Sequence, residues 1–341
     1  MHILIPAAGL STRFPNMRPK YSLSDYTGKM MFERAVAPFV GNHNITIGLI
    51  KENEDRYSIC NYVAEAYPNL IDVVILENRT SGPADTVYQM LSQMDINPSE
   101  EIFIKDCDSF FEHTYQEGNY VCVSSIKEHK VLNRLGEKSF VQLNNQGIII
   151  SIIEKQVVSD KFCVGGYKFE SAQVFADAFK QLQDNNIKEI FVSNVIEQCL
   201  HNKLIFKEST VSEYYDVGTA TEWFAFNDKA TIFCDIDGTI IKAQSRKEMK
   251  DAPVPIAENI ARLKELQAGG SVIIFTTARA QSAYSEVEEM LTKLGFTNFR
   301  LITGLPNTKR VLINDYNEAN PFPRAIAINI KRDHNNLSDF I

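Results

Sequence analysis

Apolar residues along the first two-thirds of the chain alternate between two spacings. Unbroken runs at His2 to Ile5, Asn44 to Ile50, Leu70 to Leu76 and Glu101 to Lys105 have the length and β-branched content of buried strands. Between them, Met30 to Val40, Glu52 to Tyr67 and Pro83 to Met94 repeat apolar residues at helical spacing, with Val87, Met90, Leu91 and Met94 on one face. This alternation predicts an α/β protein whose mostly parallel sheet is covered by helices on both faces. From Tyr120 to Tyr167 the pattern changes to short β-rich runs broken by Asn144-Asn145 and Gly165-Gly166, which predicts an inserted antiparallel lobe. Two helices are expected next, near Ser171 to Gln183 and Glu189 to His201. A new strand begins near Ala230, and apolar strand-like runs at Thr231 to Asp235, Val272 to Phe275 and Val311 to Asn314 predict a second, smaller α/β unit. The expected domains are 1–228 and 229–341.

Length agrees with that division, since 341 residues exceed what one hydrophobic core usually organises. An apolar fraction of 44% suffices for packed cores. A net charge of −8 and a pI near 5.4 argue against nucleic-acid or anionic-membrane binding, so local cationic clusters would serve phosphates instead. The N-terminus lacks the basic stretch and apolar core of a signal peptide, and no apolar run reaches membrane-spanning length, so a cytoplasmic protein is expected. Cysteines 60, 107, 122, 163, 199 and 234 are dispersed without a C-x-x-C pair, and the histidines form no zinc-binding cluster. They read as buried, reduced thiols.

The first strand runs into Pro6 to Lys20, PAAGLSTRFPNMRPK. Ala7, Ala8 and Gly9 leave a loop with little side-chain bulk, where backbone N–H groups can approach a polyphosphate, and Arg13 and Lys20 add two cations. Neither the P-loop ending nor the G-x-G-x-x-G spacing is present. An Ala-Ala-Gly alone would read as an ordinary strand-to-helix turn. Together with Thr12-Arg13 and Pro19-Lys20, the stretch resembles the signature of the sugar-phosphate nucleotidyltransferases, which join a nucleoside triphosphate to a phosphorylated small molecule. The resemblance implies a Rossmann-like domain, with Ala7, Ala8 and Gly9 at the nucleotide.

Three further clusters should line the same cleft if the resemblance holds. Arg79 to Asp85 forms a turn that opens a helix; Gly82 could face the nucleobase, or the turn could simply start the helix with Ser81 as N-cap and Pro83 in its first position. Lys105-Asp106-Cys107-Asp108 ends a strand, where acidic residues can reach a phosphate-bridging Mg²⁺. Asp108 matches the family's metal-binding aspartate, with Cys-Asp-Ser in place of the usual Gly-Asp-Asn, while Asp106 could support the site or merely begin a turn. Asp216-Val217-Gly218-Thr219 resembles the segment that supplies the second metal aspartate. Between them, Glu154-Lys155 and Gly165-Gly166-Tyr167 resemble the acceptor-binding part, with Lys155 holding the acceptor phosphate, although Glu-Lys pairs are more often solvated surface charges. The implied partners are a triphosphate and a small phosphorylated metabolite, the implied cofactor is Mg²⁺, and the wording Pro19-Lys20-Tyr21 leans toward CTP and surface-polysaccharide pathways.

In the second unit, Asp235 and Asp237 stand two apart at a strand end before Gly238-Thr239. One could attack phosphorus while the other manages the leaving-group proton. The wording resembles the first motif of the haloacid dehalogenase superfamily, mostly Mg²⁺-dependent phosphatases. Thr277 then resembles the phosphoryl-contacting residue of the second motif, and Asp315 the remaining metal contact of the fourth, where Asn314 replaces the first member of the usual acidic pair. For the third-motif cation, Lys309 and Arg310 are both candidates and neither spacing is convincing. The stretch from Asp237 to Thr277 leaves little room for a cap, so the site would be open, or roofed by the first domain or by another subunit of a homo-oligomer. Two readings follow: a bifunctional nucleotidyltransferase and phosphatase, or a nucleotidyltransferase whose second domain is a non-catalytic binding or oligomerisation module.

Overall fold

A computed structural model describes residues 1–15, 17–128, 135–183, 189–243, 252–314 and 325–341. The chain divides into two compact units, Met1–Phe226 and Asn227–Ile341. Among the described residues no helix is long and apolar enough to cross a membrane.

The first unit begins with β1 (His2–Pro6), α1 (Met31–Val36), β2 (Asn44–Ile50), α2 (Lys51–Tyr57), α3 (Ile59–Ala66), β3 (Ile71–Leu76) and α4 (Pro83–Gln93). Then follow β4 (Ile102–Lys105), β5 (Ser109–Glu112), β6 (Asn119–Ser125), β7 (Phe140–Leu143), β8 (Ile149–Ile153) and β9 (Lys161–Phe169). It ends with α5 (Ala172–Gln183), α6 (Val192–His201), β10 (Phe206–Thr210), β11 (Ser212–Asp216) and α7 (Ala220–Asn227). The main sheet runs β10-β6-β9-β4-β1-β2-β3, with β7 and β8 attached to β9. β4, β1, β2 and β3 are mutually parallel, and β9 lies antiparallel between β4 and β6. The mixed sheet with an antiparallel insertion is thus present.

Both faces of β1 are covered, which is why it reads as an unbroken apolar run. Leu4 packs with Ala84, Val87 and Met90 of α4 and with Phe175, Phe179 and Val195, whereas Ile3 and Ile5 pack with Phe32, Val36, Ile59 and Val63 on the other side. The helix expected over Glu52 to Tyr67 is in fact two. Ser58 takes a left-handed backbone (φ 51°), and the Glu54 carboxylate accepts the Cys60 N–H at 3.1 Å, capping the start of α3. Helix α1 is shorter than its apolar spacing suggests, with turns after Val36 and Gly41 in the left-handed region.

The second unit comprises β12 (Thr231–Asp235), α8 (Ala257–Ala268), β13 (Val272–Thr276), α9 (Tyr284–Lys293) and β14 (Arg300–Ile302). Its three strands are parallel in the order β12-β13-β14. Ile236, Ile240, Leu263, Ile273, Phe275, Val287 and Leu291 form its core. One expected element is not formed: Val311 to Asn314 is not a strand. Val311, Leu312 and Ile313 are 68%, 53% and 91% exposed. An apolar run makes a strand only when a ladder partner and a buried face are available, and among the described residues it has neither. Asp315 lies outside the described residues.

Candidate active site

The signature loop leaves the carboxyl end of β1, where a parallel sheet opens toward ligands. The Ala7 N–H is held by the Gly48 carbonyl at 2.9 Å, and Ala7 and Ala8 are buried, so the loop is anchored at its base. Nothing would meet a side chain at Gly9, which faces open space. Ser11 adopts a left-handed backbone (φ 52°), and its hydroxyl accepts the Lys20 N–H at 3.0 Å, bringing the two ends of the loop together.

Two distant carboxylates meet because β11 pairs antiparallel with β5, placing Asp216 opposite Ser109. The Val217 N–H donates to the Asp108 carbonyl at 3.0 Å, locking that register. A Cβ on Gly218 would sit 3.0 Å from Asp108 Oδ2 and 3.2 Å from Asp216 Oδ1. The glycine therefore leaves a cradle between them. Each carboxylate carries an ammonium group: Lys20 Nζ lies 2.5 Å from Asp108 Oδ2, and Lys138 Nζ lies 2.5 Å from Asp216 Oδ2. The Arg13 guanidinium stands 3.7 Å from Asp108 and 3.8 Å from Glu137.

Charge is unevenly distributed here. Burial works against ionisation of Asp108, but Lys20, with Arg13 beyond it, holds its carboxyl well below the usual range. Burial and the neighbouring Asp108 charge push Asp106 up to about 6. Beneath the turn, Lys105 is buried, and its ammonium donates to the carbonyls of Asp106 at 2.7 Å and Ser109 at 2.6 Å and to the Ser109 hydroxyl at 2.9 Å. Burial lowers it to about 8. This lysine fixes the turn that aims Asp108.

Among the described residues no group of three or more His, Cys, Asp or Glu side chains could enclose a metal by itself. Mg²⁺ is commonly held by one or two carboxylates with the remaining positions supplied by water and substrate phosphates. Asp108 and Asp216, two hard oxygen donors flanking the Gly218 cradle, fit that description.

A cleft of about 470 Å³ is lined by the signature loop, the Arg79 to Pro83 turn, Asp106, Asp108, Asp216 and an outer group of Lys138, Ser139, Glu154 and Ser193. Glu154 Oε2 accepts the Ser139 hydroxyl and, at 2.6 Å, that of Ser193. Gly82 is required by packing, since a Cβ would fall 2.7 Å from the Ile190 carbonyl. It is Gly82, not Ser81, that precedes the first turn of α4, while Asp85 accepts the Ser81 N–H and hydroxyl.

Two candidates stand apart from this lining. Lys155, in a left-handed backbone (φ 56°), extends its ammonium over the Phe191 ring at 4.1 Å. A Cβ on Gly166 would meet Phe103, Phe111 and Cys122, so that position faces the core, and it is Gly165 that borders the cleft. Lys138 belongs to no motif of the sequence; only its contact with Asp216 reveals it.

In the second unit, Asp235 and Asp237 lie at the end of β12. Burial, and then the Asp237 charge, raise the Asp235 carboxyl. Asp237 accepts hydrogen bonds from the Thr277 hydroxyl at 2.9 Å and from Arg279 Nη2 at 2.8 Å. Thr277 is fully buried with its hydroxyl on Asp237, and Arg279, which closes the same motif and to which the sequence reading gave no role, is a second partner of that carboxylate. Lys309 and Arg310 are exposed, and Arg310 donates to the carbonyls of Pro306 and Thr308. Arg310 and Arg332 nonetheless act electrostatically on Asp235.

No family model and no curated protein matches this chain. Solved structures do. A nucleoside-diphosphate-sugar pyrophosphorylase from Vibrio cholerae RC9 is 18% identical, with a TM-score of 0.57 over 67% of this chain and 100% of its own. The inositol-1-phosphate CTP transferase from T. maritima is 16% identical, with a TM-score of 0.52 over 65% of this chain and 90% of its own. A structure described as a glucose-1-phosphate thymidylyltransferase from Bacillus anthracis, in complex with a sucrose, is 16% identical, with a TM-score of 0.54 over 66% of this chain and 92% of its own. Over about two-thirds of its length, the chain is similar in fold to these Rossmann-like nucleotidyltransferases.

Proposed function

We propose that the first unit transfers a nucleotidyl group, cytidylyl by preference, from a nucleoside triphosphate to a small phosphorylated sugar, polyol or similar metabolite, as in the making of surface-polysaccharide precursors. The observation that carries this reading is the convergence of Asp108 and Asp216 on the Gly218 cradle, each with an ammonium group, in a cleft that begins at the signature loop. Ala7, Ala8 and Gly9 border the triphosphate, and the turn at Gly82 borders the base. An oxygen of the acceptor's phosphate attacks the α-phosphorus; the bond to the bridging oxygen of the β-phosphate breaks, and pyrophosphate leaves with that electron pair. A phosphate is already ionised near neutral pH, so no residue need remove a proton. Arg13 and Lys20 offset the charge of the triphosphate, and Lys155, whose ammonium lies over the Phe191 ring outside the cleft lining, is given no part in holding the acceptor. Mg²⁺, when held by Asp108 and Asp216, would neutralise phosphate charge as a Lewis acid.

For the second unit we propose a phosphomonoesterase. Asp235 attacks a phosphomonoester, the alcohol leaves with a proton from Asp237, and water then hydrolyses the aspartyl-phosphate. Thr277 and Lys309 are the substrate-side residues of this reading, and Asp235 and Asp315 its metal contacts. A specific observation favours the second possibility, a non-catalytic module: the Arg279 guanidinium is hydrogen-bonded to both carboxylate oxygens of Asp237, and Asn314 replaces an acidic residue. The functional test is pyrophosphate release by the whole chain with each of the four nucleoside triphosphates and a panel of phosphorylated sugars, polyols and amino alcohols. CTP should exceed the others by about a hundredfold, the discrimination available from a few backbone hydrogen bonds to the base. A clear preference for ATP or GTP would overturn the cytidylyl assignment, and no release with any pair would overturn the transferase.

A further inference from the structure

Lys138 stands where two roles meet. Its ammonium donates to Asp216 Oδ2 at 2.5 Å and to the Tyr214 hydroxyl at 2.9 Å, and it lies 5.4 Å from the centres of both the Phe162 and Tyr214 rings. The side chain is only 11% exposed, yet it borders the cleft beside Ser139 and Glu154. Lys155, by contrast, projects its ammonium onto Phe191 and does not border the cleft, although its N–H is bonded to the Lys138 carbonyl at 3.1 Å.

We infer that Lys138 is the cation that exchanges between Asp216 and the acceptor's phosphate, holding the aspartate when the cleft is empty of divalent cation and turning to the phosphate when a divalent cation takes the carboxylate. This rests on the proposed transferase reading and deepens it. Two carboxylates flank the Gly218 cradle, and two ammonium groups neutralise them. A divalent cation at the cradle would meet Asp216 Oδ1, the oxygen that faces it, and would draw on the charge of the same carboxylate that holds Lys138 through Oδ2, so cation and ammonium compete for one aspartate. Displaced, the ammonium remains in a largely buried pocket, where an unpaired charge is costly. A phosphate dianion arriving at the outer end of the cleft supplies the missing partner, while the Phe162 and Tyr214 faces keep the lysine near the cleft during the exchange. Metal and acceptor binding are thereby coupled through one side chain.

The test measures Mn²⁺ binding to the full chain without nucleotide, by the loss of the free-ion paramagnetic resonance signal, and in parallel the KM for each substrate. Removing the competing ammonium in Lys138→Met should tighten Mn²⁺ binding by about tenfold, the size of one charge-assisted hydrogen bond, whereas loss of a merely structural residue would weaken binding or leave it unchanged. The acceptor's KM should rise by about tenfold with the triphosphate's KM within about twofold, and Lys138→Arg should recover the acceptor's KM. Unchanged or weakened Mn²⁺ binding by folded Lys138→Met, or no Mn²⁺ binding by either protein, overturns the exchange. A rise in both KM values together overturns the acceptor assignment. Because Mn²⁺ binding is read without substrate, a chain that exchanges Lys138 for metal but transfers no nucleotide would fault the transferase reading alone.

Discussion

Gly218 lies between the two carboxylates of the site. Its missing side chain is what allows Asp108 and Asp216 to face one another, and the Arg13 guanidinium is 3.7 Å from the same point. Its backbone is not in the left-handed region, so alanine there would meet crowding by the two carboxylates and no backbone strain. Asp108 ends a turn and Asp216 ends a strand, so each side chain can shift by a few tenths of an ångström. Gly218→Ala should therefore fold with little change in melting temperature, yet turn over about tenfold more slowly, because misplaced groups lose the alignment on which positional catalysis depends. Thermal melts beside pyrophosphate-release rates check this; a variant with full activity would show that the two carboxylates need not meet there. Lys105 acts one layer below, pinning the carbonyls of Asp106 and Ser109. It gives the Asp108 turn a rigidity that the turn's own sequence does not.

Elements explain which parts of this site were legible in the sequence. The end of β1, the loop after it and the end of β4 could be read directly, because a parallel strand with both faces covered is a local apolar run and its ligand-facing end follows at once. The pairing of β11 with β5 could not, since Ser212 to Asp216 carries no strand-like apolar run and its partner lies far away in the chain. Lys138 was invisible for the same reason: its importance is that of what it touches, a carboxylate far away in the chain. The break at Ser58 was hidden because apolar spacing continues through it, and the expected strand at Val311 to Asn314 shows the converse, an apolar run without a ladder partner. A pH effect belongs to the element joining β5 to β6. His113 shares a hydrogen bond of 2.7 Å with the Tyr120 hydroxyl and packs against Phe103 with ring centres 5.0 Å apart. Burial, aided by His43 and Lys105, lowers it to about 4. The folded state thus binds fewer protons than the unfolded one between that value and the ordinary histidine value of 6.5. Its contribution to stability is full above 6.5 and is lost as pH falls toward 4. Urea melts of His113→Gln should show a shallower loss than the native chain across that window; parallel curves would show that His113 is not the group responsible.

At the scale of the whole molecule, two compact units each carry a pair of aspartates beside strand ends, but in different electrostatic settings. In the first, each aspartate carries a lysine ammonium group. In the second, Asp237 is gripped by Arg279 while burial raises Asp235. Each unit has its own core, so substitution in one should leave the other's chemistry intact. Asp235→Asn is nearly isosteric and removes the attacking charge, so it should abolish inorganic phosphate release from phosphomonoesters without altering nucleotidyl transfer. Loss of both would show that the units act as one. The central claim is nucleotidyl transfer at Asp108 and Asp216. It is tested most directly by phosphorus NMR of the whole chain incubated with Mg²⁺, CTP and a mixture of phosphorylated sugars and polyols, beside Asp108→Asn under the same conditions. The account predicts that pyrophosphate and a new phosphodiester-linked diphosphate resonance grow in equal amounts with the native chain, and that neither appears with the folded variant. Equal growth with Asp108→Asn, or conversion of CTP to hydrolysis products without the linked diphosphate, would contradict it.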